Sequence, residues 1–337
     1  MAHWGVIGHE WAVALLSRNL AAGRVRHAYL FTGPAGVGRR TLALALARAL
    51  NCTGPQPPCG QCRSCTLIGD GSAAAPPRHP DVRLVEPVES GERIQRLEIR
   101  IDQIRDLQHE LALTPVEGRY RIAILCDFEA ANAHAANALL KTLEEPPPQV
   151  ILILTASQAD VLLPTIVSRC QVLNLRPLPW QVVRSALLAR GVPADQAETL
   201  AHLCGGRLGW AVRAAADAEL LARRSQALDD LQRLLKASRN ARFTYAEELA
   251  RDGQALRETL EAWLSWWRDL LLVTTGTQAP LTNADRTHEL ERLAQRITVA
   301  QAQRAVALLR DATWHLDRNA NPRLLTEVLL LDLPQLA

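Results

Sequence analysis

Lysine is nearly missing from this chain of 337 residues: among 38 basic residues only Lys141 and Lys236 are lysine. A skew that broad strips meaning from arginine at surface positions. Arginine keeps its meaning inside a phosphate-binding loop, where the bulkier guanidinium fork cannot replace a compact ammonium. Long apolar runs are missing too; VILIL at 150–154 and VLLL at 328–331 are far too short to cross a bilayer. The opening MAHWGVIGHEWAVALLSRNL lacks the basic start, apolar core and cleavage site of a signal peptide, so a cytoplasmic location is expected. Charge of one sign is not in excess either, and a net +3 does not establish a nucleic-acid partner.

What is present describes a globular chain. Hydrophobic residues at 48% and charged residues at 22%, over this length, allow two or three domains with cores of their own. Four of the seven cysteines crowd between 52 and 65, which points to a metal site in a reducing compartment rather than a disulfide framework.

Through residue 175 helix-like and strand-like segments alternate. A helical pattern at 8–22 leads into HAYLFTG (27–33), a short buried strand, and RTLALALARAL (40–50) reads as a helix. Pro and Gly run through 53–80, which reads as loop. DVRLVEP (81–87), YRIAILCD (120–127), VILILTA (150–156) and QVLNL (171–175) read as strands; the second and third are the continuous apolar runs that a buried parallel sheet needs. IDQIRDLQHEL places Ile101, Ile104, Leu107 and Leu111 on one helical face, and AANAHAANALLKTLEE is a helix stopped by Pro146, Pro147 and Pro148. This alternation predicts an α/β sandwich. After RPLPW (176–180) the strands vanish. Three short helices are expected over 180–216, and only helical periodicity follows from 219, with Leu256, Leu260, Trp263, Trp267 and Leu270 on one stripe.

GPAGVGRRT, Gly33 to Thr41, follows a predicted strand and opens a predicted helix, the context that a phosphate-binding loop requires. Gly33, Gly36 and Gly38 permit the turn, and backbone N–H groups at the helix start attract an anion. The letters then fail. Arg39 stands where the lysine belongs and Arg40 where a hydroxyl would hold Mg²⁺; Thr41 serves only if the loop slips by one residue. A phosphate-loop fold is expected, ATP hydrolysis is not, and retention of ATP or ADP stays open. ILCDFE (124–129) places Asp127 at a strand end, where such enzymes keep a Mg²⁺-binding carboxylate. Phe128 occupies the place of the adjoining catalytic Glu, and Glu129, one position on, is expected to point elsewhere.

Cys52, Cys59, Cys62 and Cys65 form C-x6-C-x2-C-x2-C, the spacing of a structural tetrahedral zinc site with four thiolates; a redox pair is the rival reading. Cys126, Cys170 and Cys204 read as ordinary core or half-buried thiols. Arg169, in PTIVSRC (164–170), is either a surface residue at a helix end or an arginine finger that completes a neighbouring subunit's site. Trp263, Trp266 and Trp267 sit at helical spacing among leucines and read as packing rather than base stacking. None of the nine histidines shows ligand spacing.

Together, HAYLFTGPAGVGRRTLALALARALNC, the four cysteines, ANALLKTLEEPP and PTIVSRC resemble the bacterial DNA polymerase III clamp-loader family over residues 4–176. WLSWWRDLLL sits where that family has its helical collar. The resemblance implies an AAA+ module: an α/β P-loop domain with a parallel sheet over 1–176 carrying a zinc module at 52–65, a helical lid over 177–217, and an all-helical oligomerising collar over 218–337. Gamma/tau motor subunits of the family keep Lys and Thr in the loop, Asp-Glu in the second motif and an Arg in the lid. This chain departs at Arg39, Arg40, Phe128 and Gly209 while keeping the cysteines and Arg169. Those departures resemble the delta-prime branch. The resemblance then implies a stator that hydrolyses little or no ATP and offers Arg169 to an adjacent gamma/tau site. Its implied partners are gamma/tau and delta subunits, with the sliding clamp and primed DNA engaged through the complex and no membrane. A divergent gamma/tau-type ATPase is the alternative; a small-molecule P-loop kinase is more remote.

Overall fold

The uninterrupted apolar runs become the middle of a parallel sheet. The computed structural model describes residues 4–69, 76–90, 96–318 and 320–335, in two units, Met1–Glu89 with Leu97–Pro177 and Ser90–Arg96 with Leu178–Ala337. Along the chain come α1 (Glu10–Ala21), β1 (Ala28–Thr32), α2 (Arg39–Asn51), α3 (Arg63–Ile68), β2 (Val82–Val85), then a two-stranded ribbon of β3 (Val88–Ser90) and β4 (Arg96–Glu98), of which Ser90 and Arg96 count with the second unit. The first unit continues through α4 (Ile101–Leu111), β5 (Arg121–Leu125), α5 (Ala133–Glu144), β6 (Val150–Ala156), α6 (Pro164–Val167) and β7 (Gln171–Asn174). Five strands pair in the order β2-β5-β6-β1-β7, every described pairing parallel, with Leu30 opposite Leu154 on one side and Val172 on the other.

Alternate residues of each central strand feed two cores. Tyr29, Phe31, Ile122, Ile124, Ile151 and Ile153 pack with Leu16 of α1 and Leu42 and Leu46 of α2. Leu30, Leu125, Leu152 and Leu154 pack with Ile104 and Leu107 of α4 and Leu139 and Leu143 of α5. Both faces are covered, which is why these strands carry no polar alternation. The expected α/β sandwich holds: a five-stranded parallel sheet with helices packed on both faces. The loop expected over 53–80 is corrected in part. Its Arg63–Ile68 stretch forms α3, packed through buried Cys65 and Ile68, and residues 70–75 lie outside the described ones. The ribbon β3–β4 escaped the sequence reading, being too short to show a period.

The second unit is helical after the ribbon: α7 (Trp180–Leu188), α8 (Ala194–Leu203), α9 (Leu208–Ala216), α10 (Ala218–Leu234), α11 (Arg239–Leu249), α12 (Gly253–Thr274), α13 (Thr287–Ala294), α14 (Val299–Asp317) and α15 (Pro322–Asp332). Two apolar clusters form within it. Val183, Leu187, Leu200, Cys204 and Ala211 join α7 to α9 and take Leu220 from α10. Leu228, Leu260, Trp263, Trp267, Leu309 and Leu330 gather α10, α12, α14 and α15. Asp217, between the proposed lid and collar, ends α9 and caps α10 by accepting from the Glu219 amide at 2.9 Å. Trp263, Trp266 and Trp267 are buried, so packing is their use; Trp263 donates its indole N–H to the Ala227 carbonyl at 2.7 Å.

Candidate functional site

The sheet gathers its polar groups at the carboxyl ends of β1, β2, β5 and β6, the edge where open α/β sheets hold ligands. The loop after β1 has the conformation its glycines predict: Gly33, Gly36 and Gly38 have φ of 140°, 81° and 116°. Gly33 has a second reason to be glycine, since a Cβ there would lie 2.4 Å from the Leu175 carbonyl oxygen. Gly33 also donates to the Ser157 carbonyl at 3.0 Å, and buried His9 holds the loop from α1 through Nε2 to the Val37 carbonyl at 3.0 Å.

Both loop arginines turn to carboxylates at neighbouring strand ends. Arg39, the first residue of α2, donates from Nη2 to Asp127 Oδ1 at 2.8 Å; its side chain is 9% exposed and that of Asp127 53%. Arg40 reaches Glu86, just past β2, at 2.6 Å. Thr41 follows in the first turn of α2, half-buried. Asp127 has a left-handed backbone at φ 48° and donates its amide to Thr155 Oγ1 of β6 at 2.9 Å.

Glu129 corrects the sequence reading. A single 3-10 turn over Phe128–Ala130 returns its side chain to the cluster. Its Oε1 lies 3.9 Å from Nη1 of Arg39 and accepts from the Ser157 amide at 2.8 Å. Burial pushes the Glu129 carboxyl above its ordinary range, and Asp127 adds to the rise while Arg39 opposes it. Sequence reading turned Glu129 away from this cluster and gave Glu86, Thr155 and Ser157 no part in it. Their shared signal is position, directly at or after the end of a predicted buried strand.

The four cysteines converge. The Sγ atoms of Cys52, Cys59, Cys62 and Cys65 lie within 4.8 Å of one another, and the set could hold a metal ion. Cys52 ends α2, Cys62 caps α3 and Cys65 lies inside it. Amides of Gly54 and Cys59 donate to Cys52 Sγ at 3.3 Å, and the Cys62 amide to Cys59 Sγ at 3.3 Å. Burial opposes ionisation of Cys62, but hydrogen bonds from Cys65 and Thr53 outweigh it and bring the thiol down to about 6; burial drives Cys65 up to about 12. Gly54 is required here, because a Cβ would sit 2.9 Å from Cys59 Sγ.

Polar ties anchor this module to the sheet. Arg63 forks onto Glu117 at 3.0 and 3.2 Å, and Asn51 exchanges two bonds of 2.9 Å with the Tyr120 backbone. Asp81, fully buried in its side chain, accepts amides of Val116, Glu117 and Gly118 at 2.7 to 2.8 Å.

Arg169 lies apart from the loop arginines in its bonding. It follows α6, donates from Nη2 to Glu144 at 2.6 Å and from Nη1 to the Thr165 carbonyl at 2.8 Å. Gly209 lies in the first turn of α9; Arg207, which caps that helix, is tied to Glu261 and to the Cys204 carbonyl.

Comparison with known proteins fits this geometry. A model described as DNA polymerase III, delta subunit, matches residues 8–179, and one for the C terminal of that subunit matches 218–335. The chain is 29% identical over 325 residues to the DNA polymerase III subunit delta' of Bacillus subtilis, covering 95% of this chain and 94% of that one. It is 40% identical over 197 residues to the delta' of Pseudomonas aeruginosa, covering 58% of this chain and 56% of that subunit. A gamma/tau subunit of Mycobacterium tuberculosis is 39% identical over 199 residues, which span 57% of this chain but 32% of the mycobacterial protein. The chain therefore belongs to the DNA polymerase III delta-subunit family, in its delta-prime branch and related to the gamma/tau clamp-loader subunits.

Proposed function

We propose that this chain is the stator of a clamp loader: it hydrolyses no ATP of its own and lends Arg169 to the ATP site of a neighbouring gamma/tau subunit. The assembly, with delta, would open a sliding clamp and place it on primed DNA. The observation that carries the first part is the 2.8 Å pair between Arg39 and Asp127. Asp127 is the carboxylate that would hold Mg²⁺, and a guanidinium of the same chain already neutralises it. Arg39 is thereby turned toward a strand end rather than left free for the β and γ phosphates. Arg40, standing where a hydroxyl would hold Mg²⁺, pairs with Glu86 at 2.6 Å. A divergent gamma/tau motor would need both loop positions for nucleotide.

The second part is supported by the place of Arg169 on the surface of the α/β unit with a third of its side chain open. The proposed division into α/β domain, lid (177–217) and collar (218–337) is supported by the separate apolar clusters of the second unit.

At the cysteines the donor set suits zinc. Tetrahedral zinc with Zn–S bonds of about 2.3 Å sets its sulfurs about 3.8 Å apart. The Cys52 and Cys62 sulfurs stand 3.9 Å apart. Cys52, Cys59, Cys62 and Cys65 would hold the ion, whose contribution would be structural, since four thiolates leave no open position for substrate.

ATP turnover by the purified chain, alone and reconstituted with gamma/tau and delta, tests the reading. No turnover is expected alone, and Arg169→Ala should cut the DNA-stimulated turnover of the complex by about 10³-fold to a residual, measurable rate. Robust turnover by the isolated chain, lost on Arg39→Ala, would sink the stator reading in favour of a motor.

A further inference from the structure

Glu144 has no local reason to be where it is. It is the last residue of α5, where the helix dipole presents negative charge, and Glu145 follows it directly. Anionic side chains are disfavoured at helix C-termini. Its partner comes from 25 residues further along: Glu144 Oε1 accepts from Arg169 Nη2 at 2.6 Å. On the other side of the same guanidinium, Nη1 donates to the Thr165 carbonyl at 2.8 Å and lies 3.5 Å from Ser168 Oγ. The fork is thus gripped at two nitrogens by two elements.

Both grips are rigidly backed. Asn132 caps the start of α5, and Leu139 and Leu143 bury its inner face. Ile166 is fully buried in α6, and the Arg169 amide donates to its carbonyl at 3.1 Å. A carboxylate and a carbonyl fixed in this way set the direction of a side chain that otherwise samples many rotamers. Half of Glu144 and a third of Arg169 remain open to solvent. Stability cannot explain the pair, because an ion pair that exposed contributes little.

We infer that Glu144 is a positioning residue for Arg169: it holds the guanidinium aimed outward, so that the neighbouring subunit's phosphates meet an arginine already in place. The inference rests on the arginine-finger reading above. Glu144 touches no nucleotide and acts only through Arg169, lowering the entropy lost when the finger engages.

The test uses the complex reconstituted from this chain with gamma/tau and delta, read by DNA-stimulated ATP turnover. Glu144→Ala should lower kcat about tenfold, since ordering a free arginine is what the carboxylate spares, and leave KM within about twofold. Glu144→Gln keeps an acceptor at the same reach and should restore most of the rate. Glu144→Ala combined with Arg169→Ala should be no slower than Arg169→Ala alone. Native kcat in Glu144→Ala, failure of Glu144→Gln to recover, or a further loss on the Arg169→Ala background would each overturn the positioning role. Native turnover in Arg169→Ala would instead remove the finger reading itself, so the two failures are told apart.

Discussion

Arg39 and Asp127, 88 residues apart in sequence, are joined at 2.8 Å across the crevice where the phosphate loop meets β5. The pair ties the start of α2 to a strand end, and Glu129 extends it to the loop after β6 through the Ser157 amide. In the stator proposed above, the Arg39 guanidinium would take the cation's place beside these carboxylates.

That closure predicts indifference to nucleotide. Melting of the purified chain with and without millimolar Mg·ATP should give coincident midpoints, whereas occupancy at a hundred times Kd would add about 2.7 kcal/mol. Arg39→Lys together with Arg40→Thr takes the guanidinium forks off Asp127 and Glu86 and should confer Mg·ATP binding, measured with a fluorescent ATP analogue.

Arg39→Ala should cost stability without restoring the site. It leaves Asp127 and the buried Glu129 uncompensated. Because Asp127 is half open to water, screening holds the loss to about 1–2 kcal/mol, read from urea midpoints.

Metal analysis should find one zinc per chain. Cys62→Ser should reduce that to near zero and lower the melting temperature, since Cys62 also starts α3. A folded protein free of metal, with Cys59 and Cys62 open to alkylation, would refute the site.

Asp81 predicts an acid-sensitive fold. Burial alone would raise its carboxyl, but the three amides and Arg121 outweigh burial and hold it below the ordinary 3.8. A depressed folded value favours the charged form. The stabilisation is therefore present above about pH 4 and is lost as pH falls through the folded value. Asp81→Asn should remove about 3 kcal/mol at pH 7, and the variant's urea midpoint should fall less than the native one's on acidification from pH 4 downward.

In the second unit, buried Arg242 donates to the carbonyls of Leu234 at the end of α10 and of Leu330 and Leu333 at the end of α15. Arg242→Ala takes this donor from the Leu330 and Leu333 carbonyls, while the Leu234 carbonyl keeps the Ala237 amide at 3.1 Å; it should cost about 3 kcal/mol, measured by denaturant melting of the full chain.

The local pattern of the sequence determined much of this protein. Apolar runs without polar alternation fix buried parallel strands, glycines fix the loop after β1, three short apolar periods fix α7 to α9, and cysteine spacing brings four thiols together. Each is decided by neighbours within a few residues, so each was legible. Tertiary structure decided who meets whom. By sequence Phe128 sets Glu129 aside, yet one 3-10 turn returns it to the crevice. By sequence Arg39 and Arg40 are losses; their partners Asp127 and Glu86 follow the ends of strands distant in sequence. Arg169 stood alone in PTIVSRC, and only the packing of α5 against α6 gave it Glu144. An ion pair depends on where two chain segments end, and strand order sets that; no period in the sequence records it.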